Sequence, residues 1–503
     1  MSDQSSSPLW GEDGRVWAVN KFGGTSVASA VAMRRVRDII MTQMDRRREG
    51  GKMGVVVSAM GGKPKVTDML LLSVSRAAAG DAEGYKEVLS SIHRKHTQTI
   101  NELGLPTEDK KSIVSALNSD MADLKDLLRA IALMRHENAN MQELVSGYGE
   151  SWSSQVLCAL LNQNDVGRRF KYLNARRVLV VEEQSDGGRS TAPEIDWPRT
   201  EENMSQHLSA LDPGVDGLVI TGFVASTRDG VATTLRRDGS DYSASIFGRL
   251  LDASAVHIWT DVDGVLSADP RKVPEAKVLT EVSFNEALEL AYFGAKVIHP
   301  KTMLPAVTSG IPIYIRNTFN PTFPGTRIFT SSTATKDRSR CVCGFSTMDN
   351  ITLLNLEGSG MVGVPGVAAT LFSALHQRGI SVILIAQASS EHSISVAVSS
   401  VLAEQAAKGV REAFHLELKN GVIGSVDIIG PCCIVAAVGD GMSHTAGVAG
   451  RFFGALGRSG INVLAIAQGC TERNISCVVR QSDGARALRA VHAAFLLSHM
   501  VCW

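Results

Sequence analysis

Between residues 16 and 330 the chain alternates two kinds of segment. Four short runs, "MGVVVSA" (53–59), "DGLVITGFVA" (216–225), "SAVHIWTD" (254–261) and "IPIYIRN" (311–317), are almost continuously apolar. Such runs predict strands covered on both faces rather than half-exposed ones. Between them, stretches such as "DLKDLLRAIALMRH" (123–136) and "FNEALELAYFGAK" (284–296) carry apolar residues at helical spacing. This alternation predicts an α/β domain around a largely parallel sheet, and in such sheets ligands gather at the carboxyl ends of the strands.

Past residue 330 the pattern changes. Residues 331–340 are polar and read as a linker. Beyond them "VPGVAATLFSALHQRGISVILIAQASSEHSISVAV" (364–398) is matched by "TAGVAGRFFGALGRSGINVLAIAQGCTERNISCVV" (445–479). Gly366 and Gly447, Phe372 and Phe453, Gly379 and Gly460, Gln387 and Gln468, and Glu391 and Glu472 all stand 81 positions apart. This is an internal repeat without insertion between the matches. Each copy predicts a loop, an amphipathic helix closed by glycine, a strand and a second, hairpin-like strand. The expected division is a disordered tail 1–15, a catalytic domain 16–330, a linker 331–340, and modules 341–425 and 426–503, separate or interleaved with each other.

Composition narrows the function classes. Lys+Arg and Asp+Glu both number 51, so no net charge draws the chain to nucleic acid or to an anionic membrane. No apolar run is long enough to span a bilayer, and the polar start "MSDQSSSPLWGEDG" lacks a signal core. The eight cysteines show no CxxC pair or zinc-like spacing, which fits a reducing compartment. A cytoplasmic chain without a protein-held metal is the expectation.

Four clusters carry candidate chemistry. In "VNKFGGTSVAS" Lys21 precedes Gly23 and Gly24, the reverse of a P-loop; it is either an anion site or a strand-end lysine beside a turn. In "LVSGYGESWSSQ" Glu150 lies just inside a helix start, where a carboxylate also serves the helix dipole. In "TTLRRDGSDYSASIFGRLL" Arg237 can grip a carboxylate with two hydrogen bonds, while Ser240 and Asp241 suit either a site or the N-cap of a helix beginning near Tyr242. In "IWTDVDGVLSADPRKV" Thr260, Asp261 and Arg271 suit a nucleotide or a surface loop.

Taken together, "KFGGTSV", "GSDYSA", "WTDVDG", "DPR" and "FGAKVIHP" resemble aspartate kinase, an enzyme of the amino-acid kinase fold, and the repeat resembles its paired ACT modules. "TTLRRDGSDYSA", "SADPRKV" and "QASSEHSIS" resemble the subtype fused to homoserine dehydrogenase. The resemblance implies an α/β amino-acid kinase domain followed by two α+β, ferredoxin-like ACT modules. It also implies phosphorylation of the L-aspartate β-carboxylate by ATP with Mg²⁺, the first step towards lysine, threonine and methionine. By the same resemblance Lys21 contacts the transferred phosphoryl group, Asp241 organises the site, and Ser58, Thr67, Glu150, Arg237 and Ser240 surround aspartate. Phe22, Gly23, Gly24, Thr260, Asp261, Leu266, Arg271 and Lys296 line the nucleotide, with Leu266 where the family usually has an aromatic. Gln387 and Gln468 match effector-binding glutamines, with threonine ahead of lysine as inhibitor. A homodimer through the modules, and a homoserine dehydrogenase in a longer protein, belong to the same expectation. The alternatives are an inactive amino-acid sensor and a kinase of the same fold for another carboxylate.

Overall fold

The computed structural model describes residues 15–46, 50–163, 167–182, 193–236, 238–294, 300–330, 341–387 and 392–496. The expectations for Arg237, Lys296, Glu391 and the linker 331–340 lie outside them, as do those for all but residue 15 of the N-terminal tail. The chain clusters into two compact units. The first comprises residues 1–265 and 298–330, and the second 266–297 and 331–503. Residues 266–297, assigned by sequence to the first domain, thus group with the repeats.

The first unit runs β1 (Trp17–Phe22), α1 (Ala30–Asp45), β2 (Lys52–Val57), α2 (Val66–Ala78), α3 (Ala82–Leu103), α4 (Thr107–Met134), α5 (Ala139–Ser146) and α6 (Tyr148–Leu161). It continues with β3 (Phe170–Leu173), β4 (Val180–Val181), α7 (Trp197–Ser209), β5 (Gly217–Thr221), β6 (Val224–Thr227), β7 (Ala232–Thr234), α8 (Gly239–Leu250) and β8 (Ala253–Thr260). Its central strands lie in the order β3-β5-β2-β1-β8, all parallel. Every residue of β1 and β5 is buried, as continuous apolar runs require. The Trp259 indole donates to Asn20 Oδ1 at 2.8 Å across the sheet, while Asn20 Nδ2 is buried without a hydrogen-bond partner.

The run 216–225 is not one strand. It breaks at Gly222–Phe223, where Phe223 takes φ +68°, and β6 leaves in a new direction to pair with β4 and β7. The helix expected to begin near Tyr242 begins three residues earlier, at Gly239, after Asp238 at φ +55°.

The second unit holds β9 (Glu281–Ser283) and α9 (Phe284–Tyr292); α10 (Pro300–Thr308), β10 (Ile313–Asn317) and β11 (Thr326–Phe329) return to the first. There β10 adds parallel to β8, and β11 antiparallel to β10. The repeats then follow as β12 (Gly344–Glu357), α11 (Val367–Gln377), β13 (Leu384–Gln387), β14 (Ser393–Ser399) and α12 (Ala403–Ala413), with a short α13 (His415–Lys419). The second copy is β15 (Ser425–Val438), α14 (Val448–Arg458), β16 (Ala465–Gln468), β17 (Asn474–Arg480) and α15 (Gly484–Leu496).

Both copies share one sheet, ordered β13-β14-β12-β15-β17-β16. The long strands β12 and β15 pair antiparallel, Gly344 with Val438 at one end and Glu357 with Ser425 at the other. Adding 81 to Gly344 gives Ser425, and adding 81 to Glu357 gives Val438, so the register is a pseudo-two-fold. Each long strand pairs with its own hairpin along one half, residues 351–357 with β14 and 432–438 with β17, and with the other long strand on its opposite edge.

Candidate functional site

At the carboxyl end of β1 the chain turns through Gly23 and Gly24 into a 3-10 turn, Gly24–Val27. At the carboxyl end of β2 it turns through Gly61 and Gly62 into α2. These turns lie against each other, and the Gly61 N–H donates to the Gly24 carbonyl at 2.8 Å. A Cβ on Gly61 would stand 2.5 Å from the Gly24 carbonyl carbon, so the crossing excludes any side chain.

Four side chains converge beside these turns. Lys21, 8% exposed, places Nζ 2.5 Å from Asp241 Oδ1, in the first turn of α8. That carboxylate oxygen has no hydrogen-bond donor in good alignment, so the contact is an ion pair set by proximity. Ser240, next to Asp241, receives the Ser58 hydroxyl at 2.9 Å. Neither Ser240 nor Asp241 is the N-cap of α8, a position held by Asp238, which makes no side-chain capping bond. The N-cap alternative left open by the sequence is therefore not the one the structure adopts.

Glu150 adjoins the same group. It is the third residue of α6, and Ser153 one turn on donates to the Ser58 carbonyl at 2.7 Å, tying the helix to the end of β2. The Glu150 carboxylate accepts the backbone N–H groups of Ala59 and of Glu150 itself, while Oε2 is buried without a partner. Burial raises its pKa to about 7 despite those bonds and the nearby Arg176 guanidinium. Glu150, Ala59, Ser58, Ser240, Asp241 and Lys21 therefore form one contiguous chain of contacts. Thr67 stands half-buried in the first turn of α2.

The expected nucleotide residues fall in both units. The Phe22 ring is fully buried and stacks on Trp259 with centroids 5.8 Å apart, so only its backbone reaches the strand end. Thr260 Oγ1 donates to Asp261 Oδ1 at 3.2 Å at the end of β8. Leu266 and Arg271 belong to the second unit, where Leu266 bridges to Val278 and the Arg271 guanidinium is held by Asp269 at 2.7 and 3.0 Å. Among the described residues no cluster of three or more His, Cys, Asp or Glu is arranged to hold a metal. None of their helices is long and apolar enough to cross a membrane.

In the second unit a cleft of about 310 Å³ opens between the loop before α14 and the end of β16. Met442, His444, Gly447, Val448, Gln468 and Glu472 are among its walls. Gln387 and Gln468 occupy equivalent exposed positions at the ends of the two edge strands. Sequence reasoning did not find the fittings on α9. Glu286 Oε1 accepts the Asp440 N–H at 2.8 Å, Glu289 accepts Asn474 at 2.7 Å, and the Tyr292 hydroxyl donates to the Ile383 carbonyl at 2.9 Å. One helix thus touches the loop that walls the cleft in the second repeat and the approach to Gln387 in the first.

A parallel sheet thus carries a buried lysine, an acidic partner and paired glycine turns at its carboxyl edge. Residues 17–317 match the family model described as the amino acid kinase family, and residues 354–414 and 435–495 each match an ACT domain. The chain belongs to the amino acid kinase family and, within it, to the aspartokinases. It is 42% identical over 487 residues to the chloroplastic bifunctional aspartokinase/homoserine dehydrogenase 2 of Arabidopsis thaliana, covering 96% of this chain and 51% of that protein. It is 31% identical to the chloroplastic aspartokinase 1 of the same plant, over 96% of this chain and 81% of the other. The chain thus spans about half the length of the bifunctional relatives. Among solved structures, Clostridium acetobutylicum aspartate kinase superposes with a TM-score of 0.77 at 25% identity, over 96% of this chain and 99% of that one. Escherichia coli aspartokinase III in complex with aspartate and ADP gives 0.73 at 27% identity, over 95% and 99%.

Proposed function

We propose that this chain transfers the γ-phosphoryl group of ATP to the β-carboxylate of L-aspartate, giving 4-phospho-L-aspartate and ADP. The observation that carries the reading is the contiguous group of Glu150, Ser58, Ser240, Asp241 and Lys21 around two crossed glycine turns. Aspartokinases bound to aspartate and ADP in a similar fold support the choice of substrates.

Joining a carboxylate to a polyphosphate brings anions together, so catalysis is chiefly placement and charge neutralisation. The aspartate ammonium goes to Glu150, whose unpartnered Oε2 lacks a donor in the free protein. Arg237 takes the α-carboxylate. The β-carboxylate is already ionised at neutral pH and needs no general base. Its oxygen attacks the γ-phosphorus as the bond to the ADP oxygen breaks, and ADP leaves with that electron pair. Lys21 follows the charge onto the phosphoryl oxygens, while Asp241 keeps the ammonium aimed at the strand end. Mg²⁺ would arrive with the nucleotide phosphates, and Asp241 is the carboxylate here that would face it. When bound it supplies further neutralisation of the phosphates.

The repeats bind an amino-acid inhibitor, threonine ahead of lysine, with Gln387 and Gln468 at the two equivalent sites. A homodimer through the repeats, and a homoserine dehydrogenase in a longer protein, complete the proposal. The test is an ATP-dependent acyl-phosphate assay trapped with hydroxylamine on aspartate and on glutamate, with threonine or lysine added. Product from aspartate alone, suppressed by threonine, is expected. Equal product from glutamate overturns the substrate assignment, and no product from either overturns the activity.

A further inference from the structure

The turn between β2 and α2, "GGKPKVT" (61–67), is unusually cationic, and the mechanism above leaves its lysines unused. Lys63 and Lys65 lie on its exposed side. Behind it stands Lys95, two-thirds of the way along α3, whose ammonium donates to the Gly61 carbonyl. Among the described residues none of these three lysines has a carboxylate within ion-pair distance. Lys95 is half-buried, and burial lowers its pKa, so withdrawal from water is a cost that no anion in the free protein offsets.

The partner of Lys95 explains why a cation is kept there. Gly61 is pinned on both sides, by its N–H to the Gly24 carbonyl and by its own carbonyl to Lys95. The Gly61–Gly62 peptide therefore ties α3 to the crossed turns beside Lys21, and an ideal Cβ on Gly62 would lie 3.0 Å from Lys95 Nζ. A cation on a peptide oxygen polarises the unit and makes its surroundings more favourable to an anion.

We infer that Lys95 is a positioning residue for the nucleotide phosphates, fixing the Gly61–Gly62 peptide over the Lys21 turn and supplying, with Lys63 and Lys65, the positive field that a polyphosphate offsets. Lys95 acts through the turn and touches neither substrate. Its effect falls on the nucleotide and not on aspartate, whose ammonium and α-carboxylate are held by other residues.

The inference rests on the phosphate-site reading of the Lys21 turn, and one experiment separates the two. ADP affinity is measured by calorimetry on the full chain for wild type, Lys95→Met, Lys95→Gln and Lys95→Arg, with Tm recorded alongside and KM for ATP and for aspartate where turnover is seen. Loss of a charge-assisted bond is worth about tenfold in affinity, so Lys95→Met and Lys95→Gln are expected to bind ADP about tenfold more weakly. KM for ATP should rise in step, KM for aspartate should stay within about twofold, and Lys95→Arg should recover most of the loss. A wild type that fails to bind ADP overturns the phosphate-site reading and this inference with it. A wild type that binds ADP, with Lys95→Gln binding within about twofold of it, overturns the role of Lys95 alone. Equal loss of ATP and aspartate affinity with a fallen Tm that Lys95→Arg does not restore also overturns it, because that is the signature of a structural tie.

Discussion

Glu150 shows how one buried carboxylate sets a pH window. With its pKa raised to about 7, the free site holds a mixture of the acid and the carboxylate near neutrality, and only the carboxylate can pair with an ammonium. The value of kcat/KM for aspartate is therefore expected to rise with pH through an inflection near 7, read from initial rates between pH 5.5 and about 8.5. A raised carboxylate favours the fold when protonated. Its contribution is whole below the ordinary value and is lost as pH rises through 7, by up to roughly 3 kcal/mol at 1.36 kcal/mol per unit. Glu150→Gln is expected to melt higher than wild type at pH 8 while losing aspartate affinity, and a lower Tm in calorimetry would contradict this account. Lys21→Ala is expected to lose about 10²–10³-fold in kcat, as when a transition-state donor is removed; near-native turnover would refute its role. Lys21, Ser240 and Asp241 could be singled out as candidates from sequence because each lies within a short run of glycine and helix-start residues. Lys95 could not, since "SIHRKHTQT" reads as the polar face of a helix and its acceptor is 34 residues away.

Element boundaries are set by backbone angles as much as by hydrophobicity. The apolar run 216–225 gave no warning of the break at Phe223, because the break is made by a positive φ and leaves the apolar pattern unchanged. The long strands β12 and β15 also escaped sequence reading. "GFSTMDNITLLNLE" is interrupted by Asp349 and Asn350, where the structure shifts register and Asn350 takes φ +60°. The crossing of the two glycine turns, by contrast, gives a sharp prediction. Gly61→Ala places a methyl where backbone already lies, and should destabilise the protein by several kcal/mol, seen as a lower denaturation midpoint, with loss of activity. On α9, Glu286 caps its own helix through Ser283 and also holds the Asp440 loop. Glu286→Gln keeps a side chain of the same shape but has one acceptor oxygen, so it can keep only one of the two bonds and sets its NH2 against the other N–H. Threonine inhibition is expected to weaken several-fold with basal kcat unchanged, measured as the threonine concentration at half-inhibition. Unaltered inhibition would remove α9 from the regulatory route.

At the scale of the whole molecule, composition and periodicity indicated an α/β region and a duplicated tail, and both are present. The grouping of residues 266–297 with the tail was not legible, because helical spacing in "FNEALELAYFGAK" records that a face is buried and not what buries it. The shared sheet has a further consequence. Because β12 and β15 belong to one polypeptide, each repeat meets its counterpart at an effective concentration set by the chain between them, however dilute the protein. Duplication has thus placed inside one gene product an association that separate copies would make only above a threshold concentration. The β12–β15 pairing should then keep the same hydrogen-exchange protection across about a hundredfold range of protein concentration, whereas the proposed contact between molecules would loosen on dilution. A cell can lower the amount of this protein without separating its two repeats.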